Sequence, residues 1–362
     1  MANLAYSPSR GIRPGKLLEE FLEARDMSAR ELARRCGRSA KLIVEIIAGR
    51  APIEPETALQ LERVLEMDAD LWLALEANYR LQLAKAKEVE LLAKEAEWAA
   101  RFPIKELEKY GLLKPAHGGD RVRQLLAFFG AGSVEACREG FAQLAAVSYR
   151  HSPSFNSNEE ALLVWLRLGE REAEALDCAD YSKTQFMQEL RGIRKLTVQS
   201  VEEFLPELQK SCARCGVVFA LVKPLKGLAL SGISRWLSPR KALIQQSLRH
   251  KTNDHFWFTF FHEAAHLLLH TRKAVFLDGN GYSNADPVHE EEANEWAANF
   301  LVPQSQLHAF VAQFDGTVEE VTAFAAEQGI APGIVVGQLQ KRGILAYSQM
   351  NGLKDHYKWS DD

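Results

Sequence analysis

The chain contains no long hydrophobic run. None of its apolar stretches approaches the roughly 20 residues that a membrane-spanning helix needs, and the N-terminus lacks the apolar segment of a signal peptide. The net charge is also small, at −4 for 362 residues, so the whole chain gives no argument for binding to nucleic acid. These absences predict a cytoplasmic protein without a membrane partner, on which any basic surface is local.

Cysteine is scarce as well. Five cysteines, an odd number in a chain without a secretion signal, argue against a disulfide framework. Cys212 and Cys215 form a C-x-x-C pair, but a zinc site of that kind needs a second cysteine or histidine pair. We interpret these two residues as core or helix-end thiols.

The remaining composition is that of a globular protein, with 47% hydrophobic and 25% charged residues. The length allows two or three domains, and the patterning predicts a multidomain, mainly α fold. We expect four segments: a five-helix helix-turn-helix domain (1–80), a helical connector (81–120), a helical middle region (121–200) and an α+β, zincin-like domain with a small sheet (201–362).

Short helices and tight turns characterise the N-terminal segment. Ser28 with Glu31 three positions later is a capping-box pattern, Gly37 ends that helix, and Ser39 can cap the next one. A helix, a short turn with glycine and a second helix make the helix-turn-helix pattern. Residues 25–50 hold seven Lys or Arg and three Asp or Glu, a local excess of four positive charges. The alternative is a helical bundle for protein contacts only.

Residues 14–84, with PGKLLEEFLEARDMSARELARRCGRSAKLIVEIIAGRAP at their start, resemble the HigA-type antitoxins of the phage-repressor-like class. The resemblance implies binding to operator DNA, usually as a homodimer, with the third helix in the major groove. Glu45 on that helix could only accept a hydrogen bond from cytosine or repel a phosphate. The candidate DNA contacts are Arg38, Ser39, Lys41 and, for a backbone phosphate, Arg50.

Two patterns predict the segments that follow. A fifth helix begins at Asp70 and reaches Tyr79, and residues 80–115 then form a separate charged amphipathic helix, interrupted at Pro103, which suits a solvated connector or dimer arm. Later, three strands are predicted at 217–223, 228–238 and 241–248. Such a sheet could align an extended peptide along its edge by strand addition.

Residues 262–266 read HEAAH and carry the strongest chemical signal in the chain. His262 and His266 lie about 6 Å apart along one helix face, close enough to bind one zinc ion. Glu263 between them is placed to act as a general base rather than as a ligand. The surrounding residues are mostly apolar (FWFTFFHEAAHLLLH), and burial of three polar groups there costs several kcal/mol unless they are paired or metal-bound. The pattern predicts a zinc hydrolase.

The third zinc ligand has to come from another segment. His270 lies about 12 Å along the axis from His262, too far for one ion, and the metzincin extension is absent because Leu269 and Arg272 stand at its Gly and His positions. The helix HEEEANEWAANFLVP, residues 289–303, offers an acid instead. We favour Glu290 as the ligand and leave the two alternatives open, Glu291 and Glu292. Helix-dipole complementarity is the ordinary explanation for three acids at a helix start.

Asn294, one turn after Glu290, could orient a zinc-bound histidine by a hydrogen bond to its other ring nitrogen. No helper for the developing oxyanion is identifiable from the pattern; Tyr282 and His289 are candidates by proximity in sequence only.

Residues 200–345 resemble the ImmA/IrrE metallopeptidases, through RHKTNDHFWFTFFHEAAHLLLH, EEEANEWAANFLVP and IAPGIVVGQLQKRG. The resemblance implies Zn²⁺ held by His262, His266 and a later glutamate, in the gluzincin manner, with Glu263 as catalytic base. It also implies cleavage of a repressor or an antitoxin-like regulator. Many members have Gly where this chain has Ala265, a small-for-small change. Fusion to a DNA-binding module is a second departure, and it puts the cleavage of a separate repressor in doubt.

Three functional hypotheses follow. The first is a DNA-binding transcriptional regulator with a zinc-dependent endopeptidase domain that cleaves a repressor or antitoxin-like protein. The second is a HigA-like repressor or antitoxin whose zinc domain senses a signal or a partner without proteolysis. The third is self-cleavage between the two halves of the chain, near residues 80–120.

Overall fold

A computed structural model describes residues 12–148, 159–270, 276–279 and 287–359. The chain divides into two compact units. The first is Met1–Ala99 with Pro115–Leu125, and the second is Ala100–Lys114 with Leu126–Asp362. The four-segment division expected from the sequence differs from these units and stays a prediction, whereas the multidomain, mainly α character is confirmed.

The first unit is built from helices that begin and end at the predicted signals. Ser28 accepts a hydrogen bond from the backbone N–H of Glu31, 3.1 Å away, and Gly37 ends the same helix at φ 65°. The carboxylate of Glu31 pairs with Arg34 and Arg35, so the N-cap forms without the reciprocal half of the predicted box. The helices are α1 (Pro14–Ala24), α2 (Ala29–Cys36), α3 (Ala40–Ile47), α4 (Pro55–Leu65), α5 (Ala69–Ala93) and α6 (Ala96–Ala100).

One small apolar core joins α1 to α5. Leu18, Leu32, Ile43, Leu61 and Trp72 are fully buried in it. Each side chain of this size contributes about 1.5–3 kcal/mol when it leaves water, so the core, rather than surface charge, holds the helices together.

The predicted break between a fifth helix and a charged connector is wrong. Helix α5 runs without interruption for 25 residues. Nothing at Tyr79 or Arg80 ends a helix, and the Arg80 guanidinium reaches back one turn to the Glu76 carboxylate at 2.6 Å. Such an i,i+4 pair favours continuation. The chain interrupts its helices later, before Pro103, which precedes α7 (Ile104–Lys109).

The second unit is also mostly helical. The predicted helices of the middle region are present. Helix α8 (Gly118–Phe129) follows α7 along the chain and begins in the first unit. The later helices are α9 (Val134–Ser148), α10 (Glu159–Ala175), α11 (Lys183–Arg194), α12 (Val201–Arg214), α13 (Asn253–Leu269), α14 (Pro287–Leu301), α15 (Gln304–Val311), α16 (Val318–Gln328) and α17 (Pro332–Lys341).

A four-stranded sheet lies among these helices, in the order β1-β3-β2-β4. Strand β1 pairs parallel with β3, and the other two pairs are antiparallel. The three predicted strands are confirmed as β1 (Val217–Leu221), β2 (Leu230–Ser238) and β3 (Lys241–Gln246). The fourth, β4 (Phe276–Gly279), was missed because a four-residue segment with Asp and Gly has little strand propensity. Since β4 covers the edge of β2, the sheet edge on this side belongs to β4.

Neighbouring residues of β3 face the two sides of the sheet. Gln245 donates from Nε2 to the carbonyl of Trp165 in α10, at 2.6 Å, whereas Gln246 donates to the carbonyl of Phe256 in α13, at 2.9 Å. Helix α10 therefore covers one face and α13, the helix with the HEAAH residues, covers the other. The predicted middle region thus supplies part of the framework behind the candidate site.

Candidate metal centre

Helix α13 is a buried helix anchored at its N-terminal end. Of its 17 residues, only three are not buried. At the start, Asn253 donates its backbone N–H to the carbonyl of Asp355, at 3.0 Å, and Asp254 pairs with Lys354 at 2.7 Å. Gly337 of α17 lies so close that an added Cβ would meet Asp254 Oδ2 at 2.7 Å. These contacts fix where the helix begins and therefore where its histidines stand.

The three predicted zinc ligands converge. Nε2 of His262 lies 3.0 Å from Nε2 of His266. The Glu290 carboxylate from α14 approaches both rings, with Oε2 at 3.4 Å from His262 Nε2 and Oε1 at 3.5 Å from His266 Nε2. Two imidazole nitrogens and one carboxylate are the donor set of many catalytic zinc sites, which keep one further position open.

The protonation of the site suits a cation. Burial lowers the pKa of His266, and the neighbouring rings of His262, His270 and His289 lower it further. The imidazole is therefore neutral at pH 7 and offers a lone pair. Oε1 of Glu290 is buried and accepts no hydrogen bond within the described part of the chain. A divalent ion between these atoms satisfies both the nitrogens and the carboxylate, so the residues present fit zinc.

Glu263 is fully buried beside the same cluster. Gly232 of β2 is the reason there is room for its side chain, since a Cβ at that position would lie 3.0 Å from Glu263 Oε1 and 2.7 Å from Cγ2 of Thr259. Sequence reasoning missed Gly232. A glycine within a strand is a known sign of close approach by another group, and that signal was available.

The glutamates of α14 separate into different surroundings. Glu290 faces His262 and His266, Glu291 is exposed, and Glu292 accepts from or pairs with Nε2 of His270 at 3.1 Å. Successive helical residues are rotated by about 100°, so neighbouring acids cannot point at the same ion. Of the three acids, Glu290 is the one that approaches both His262 and His266, and its role as the third ligand stays a prediction.

His270 does not join the first cluster, as expected from its position on the helix. It belongs to a second group with His289 and Glu292, in which the rings of His270 and His289 are 4.3 Å apart. His289 therefore contacts His270, and its suggested role toward an oxyanion stays a prediction. Tyr282 lies outside the described residues.

Asn294 is half-buried on α14. Within the described residues no hydrogen bond joins it to either zinc-site histidine, and Nδ1 of His266 lies instead 2.9 Å from Nδ1 of His270. The orienting role of Asn294 stays a prediction.

The candidate DNA contacts belong to α3 and the residues that flank it in the first unit. Lys41 is exposed over 82% of its side chain and is 3.9 Å from the Glu45 carboxylate. Ser39 caps α3 by accepting from the N–H of Leu42, at 3.2 Å. The two arginines differ from each other: Arg38 donates to Gln60 at 2.7 Å, whereas Arg50 is exposed. Lys41 and Arg50 are thus the most accessible cations of the set.

Cys212 and Cys215 are both buried and carry no disulfide. Burial raises the pKa of the Cys215 thiol to about 12, which keeps it protonated and unreactive. Among the described residues the pair belongs to no candidate metal group. The structure supports the interpretation as core thiols.

No helix within the described ranges is both long and apolar enough to cross a membrane.

Comparison with known proteins identifies two parts of the chain. The Peptidase_M78 family model, an IrrE N-terminal-like domain, matches residues 248–336, the segment that contains all three candidate ligands. Virulence-associated protein I of Dichelobacter nodosus is 37% identical over 75 residues, which are 20% of this chain and 69% of that protein. An uncharacterized HTH-type transcriptional regulator of Escherichia coli (strain K12), YddM, is 30% identical over 73 residues, 20% of this chain and 78% of the relative.

Solved structures give similar matches. The Pseudomonas aeruginosa antitoxin HigA with the higBA promoter is 32% identical, with 23% of this chain and 90% of that chain covered and a TM-score of 0.22. A HigA-family addiction module antidote protein from Coxiella burnetii is 31% identical, with 24% and 95% covered and the same TM-score of 0.22. Over 73 to 75 residues the chain belongs to the same family as virulence-associated protein I and the HTH-type transcriptional regulator YddM, and its residues 248–336 match the IrrE N-terminal-like domain of the Peptidase_M78 family.

Proposed function

We propose that the chain is a DNA-binding transcriptional regulator with a zinc-dependent endopeptidase domain. The observation that carries the peptidase half is the convergence of His262 Nε2, His266 Nε2 and the Glu290 carboxylate within 3.5 Å of one another. The carboxylate of a different residue, Glu263, lies buried beside them. A ligand set with one acid and a further acid next to it is the arrangement of zinc hydrolases.

Glu263 is the group that moves protons in this proposal. His262, His266 and Glu290 would hold the zinc ion, which would supply a Lewis acid for a peptide carbonyl and for a water whose pKa falls to about 7. The carboxylate of Glu263 takes the proton of the attacking water and passes it to the leaving nitrogen. The ring of Phe258, with its centroid 6.1 Å from that of His262, gives the site an apolar wall.

Replacement of Glu263 by Gln tests the peptidase. The amide keeps the volume of the side chain but cannot accept a proton, so zinc content is expected to stay at wild-type level while peptide cleavage falls by about 10²–10⁴-fold. Zinc is measured by atomic absorption and cleavage by mass spectrometry. Glu295→Gln, an exposed acid on the same helix as Glu290, serves as the matched control and should cleave normally. Cleavage that persists in Glu263→Gln rules out the proposed chemistry.

The substrate we propose is a repressor or antitoxin-like protein. Relatives of the chain include an HTH-type transcriptional regulator. A peptidase joined to a module of this kind would be brought to operator DNA, where other regulators of the same class also bind. Incubation of the zinc-loaded protein with regulators encoded beside its gene identifies a substrate by intact mass. The same experiment reports self-cleavage, because the chain itself would shorten, with new termini near residues 80–120.

DNA binding by the first unit is the other half of the proposal. The accessible cations Lys41 and Arg50 and the capped start of α3 suit a duplex groove and its phosphates. We propose that the chain binds an operator in its own promoter as a homodimer. Exposed leucines on the long helix α5 support such a contact between two copies, with Leu81 and Leu91 each about half exposed.

Lys41→Ala tests the DNA contact. Loss of one phosphate contact should weaken binding and lower the slope of log K against log salt by about 1. Arg34→Ala is the matched control, because Arg34 is an exposed cation on α2 that pairs with Glu31, and it should bind as the wild type does. Gel shift and sedimentation of the same samples report affinity and dimerisation; no shifted band at any salt concentration contradicts the proposal.

A domain that holds zinc but cuts nothing is the second candidate. The same cluster of ligands supports it, since a metal site can serve as a sensor. It predicts that zinc removal changes operator affinity, while Glu263→Gln leaves both zinc content and affinity unchanged.

A further inference from the structure

A chain of hydrogen bonds runs behind the zinc-site histidine His266. Its Nδ1 lies 2.9 Å from Nδ1 of His270. On the other side of that second ring, Nε2 of His270 lies 3.1 Å from Oε2 of Glu292. His266 lies on α13 and His270 is the residue that ends this helix, while Glu292 comes from α14, the helix that also carries Glu290.

The hydrogen bonds that join His266, His270 and Glu292 determine where the protons lie. A carboxylate at neutral pH only accepts hydrogen bonds, so Nε2 of His270 must carry the hydrogen that joins it to Glu292. The contact between the two Nδ1 atoms, at 2.9 Å, needs one hydrogen between them. An imidazole that offers a lone pair on Nε2 carries its hydrogen on Nδ1, so His266 donates from Nδ1 and Nδ1 of His270 accepts.

We propose that Glu292 and His270 act as positioning residues that select the tautomer of His266, so that its Nε2 presents a lone pair to the metal. The inference rests on the metal site of the proposed function. It gives His270 a defined role in the run HEAAHLLLH, although that residue is too far along the helix to share the ion with His262. A partner on the second ring nitrogen raises ligand basicity and holds the ring in place.

The geometry also links the two helices that make the site. Glu290 approaches the Nε2 side of His266, and Glu292, two residues later, reaches the Nδ1 side through His270. His289 packs its ring against that of His270 at 4.3 Å, with 36° between the planes. One helix thereby supplies both the acidic ligand and the acceptor that orients a histidine ligand.

Two pairs of variants separate acceptor chemistry from bulk and charge. His270→Phe keeps a ring but removes the acceptor, whereas His270→Asn keeps an oxygen near the Nδ1 position. Glu292→Ala removes the acceptor and the charge, whereas Glu292→Gln removes only the charge. Glu295→Ala, which deletes an exposed acid of α14, is the control for helix charge, and circular dichroism with thermal unfolding verifies that each variant folds.

Zinc affinity and the tautomer of His266 are the two readouts. Affinity is measured by competition with a chromophoric chelator, and the tautomer by the ¹⁵N shifts of the ring in zinc-free protein. We expect His270→Phe and Glu292→Ala to weaken zinc binding by about 10–100-fold and to shift the hydrogen of His266 toward Nε2. His270→Asn and Glu292→Gln should recover most of the affinity.

Several outcomes overturn the inference. Equal zinc affinity in the wild type and in His270→Phe would show that the hydrogen bonds from His266 through His270 to Glu292 do not contribute to zinc binding. Glu292→Gln as weak as Glu292→Ala would reduce the effect to charge. Two zinc ions per wild-type chain, with one lost in His270→Phe, would make His270, His289 and Glu292 a second metal site. A wild type that binds no zinc defeats the proposed function itself, which is distinguishable because no variant would then differ from it.

Discussion

Two ion pairs with the same separation show how the two units of this protein use charge. Arg34 and Glu31 on α2 are 2.7 Å apart, and the Arg34 side chain is 74% exposed. Lys354 and Asp254 at the start of α13 are also 2.7 Å apart, but each is only 8% exposed. Water competes for the first pair and not for the second. Distance alone therefore says little about what an ion pair contributes.

The same contrast separates the candidate functional residues. In the first unit the cation best placed for DNA, Lys41, stands in solvent, where recognition of phosphates requires it to be. In the second unit His262, Glu263 and His266 are each at most 3% exposed. Buried polar groups require partners, because an unpaired one costs several kcal/mol. We therefore expect the second unit to depend on its polar contacts far more than the first.

The largest expected effect is that of Lys354→Met. It leaves the buried Asp254 carboxylate without its cation, and breaking a buried pair costs about 3–5 kcal/mol of the free energy of unfolding. Denaturant unfolding measures the change. Arg34→Met, at the exposed pair, should unfold close to the wild type, as should Lys358→Met, an exposed lysine four residues after Lys354. Similar losses at both pairs would break the comparison.

The pH dependence of the same pair sharpens that prediction. Burial by itself raises the pKa of Asp254, but hydrogen bonds and the charge of Lys354 outweigh it, so the pKa lies below its usual 3.8. The stability that Asp254 contributes is then present above about pH 4 and is lost as the pH falls through the lowered pKa. In Lys354→Met the hydrogen bond and the charge of Lys354 no longer oppose burial, so the pKa of Asp254 rises and the variant should recover stability relative to the wild type on acidification.

Gly232→Ala comes next in size. Its Cβ would meet Thr259 at 2.7 Å and Glu263 at 3.0 Å, and overpacking of this kind costs about 1–3 kcal/mol. Thr259→Ser removes the nearest methyl group, so the double variant should regain part of the stability. Thermal unfolding of the two single variants and the double variant measures the coupling. Purely additive effects would show that Gly232 is not required by this contact.

Ser39→Ala has the smallest expected effect. The hydroxyl caps α3, and loss of an N-cap costs about 1 kcal/mol. Ser39→Asn, which retains a capping oxygen, should restore the free energy of unfolding. If Ser39→Asn is as stable as the wild type but binds operator DNA less well, Ser39 also contacts DNA; equal affinity leaves it a cap alone.

Local signals in the sequence were enough for much of the site. The HEAAH spacing places His262 and His266 on one face of any α-helix, whatever surrounds it. Capping residues such as Ser28 and Ser39 and the left-handed Gly37 mark helix ends through contacts within a few residues. Strands β1 to β3 were recognisable from their apolar runs, since both faces of the sheet are covered by helices.

The features that sequence patterns did not predict depend on contacts with residues distant in the chain. The continuity of α5 past Tyr79 is not visible in the sequence. The apolar pattern before Tyr79 and the charged pattern after it suggest two helices, although they differ only in what packs against them. Strand β4 is too short to be predicted from its own residues, and it forms through its pairing with β2. The contact of α10 with the sheet, through Gln245 and Trp165, joins residues 80 positions apart.

The sequence by itself determined that two imidazoles and a carboxylate would share a helical turn, because helix periodicity is a property of the backbone. Only the tertiary structure decided which glutamate of α14 meets them, since that depends on how α14 packs against α13. It also decided that Glu292 would reach His270 and that Gly232 would make room for Glu263. Spacing along one element is local geometry, whereas the meeting of two elements follows from how the whole core packs.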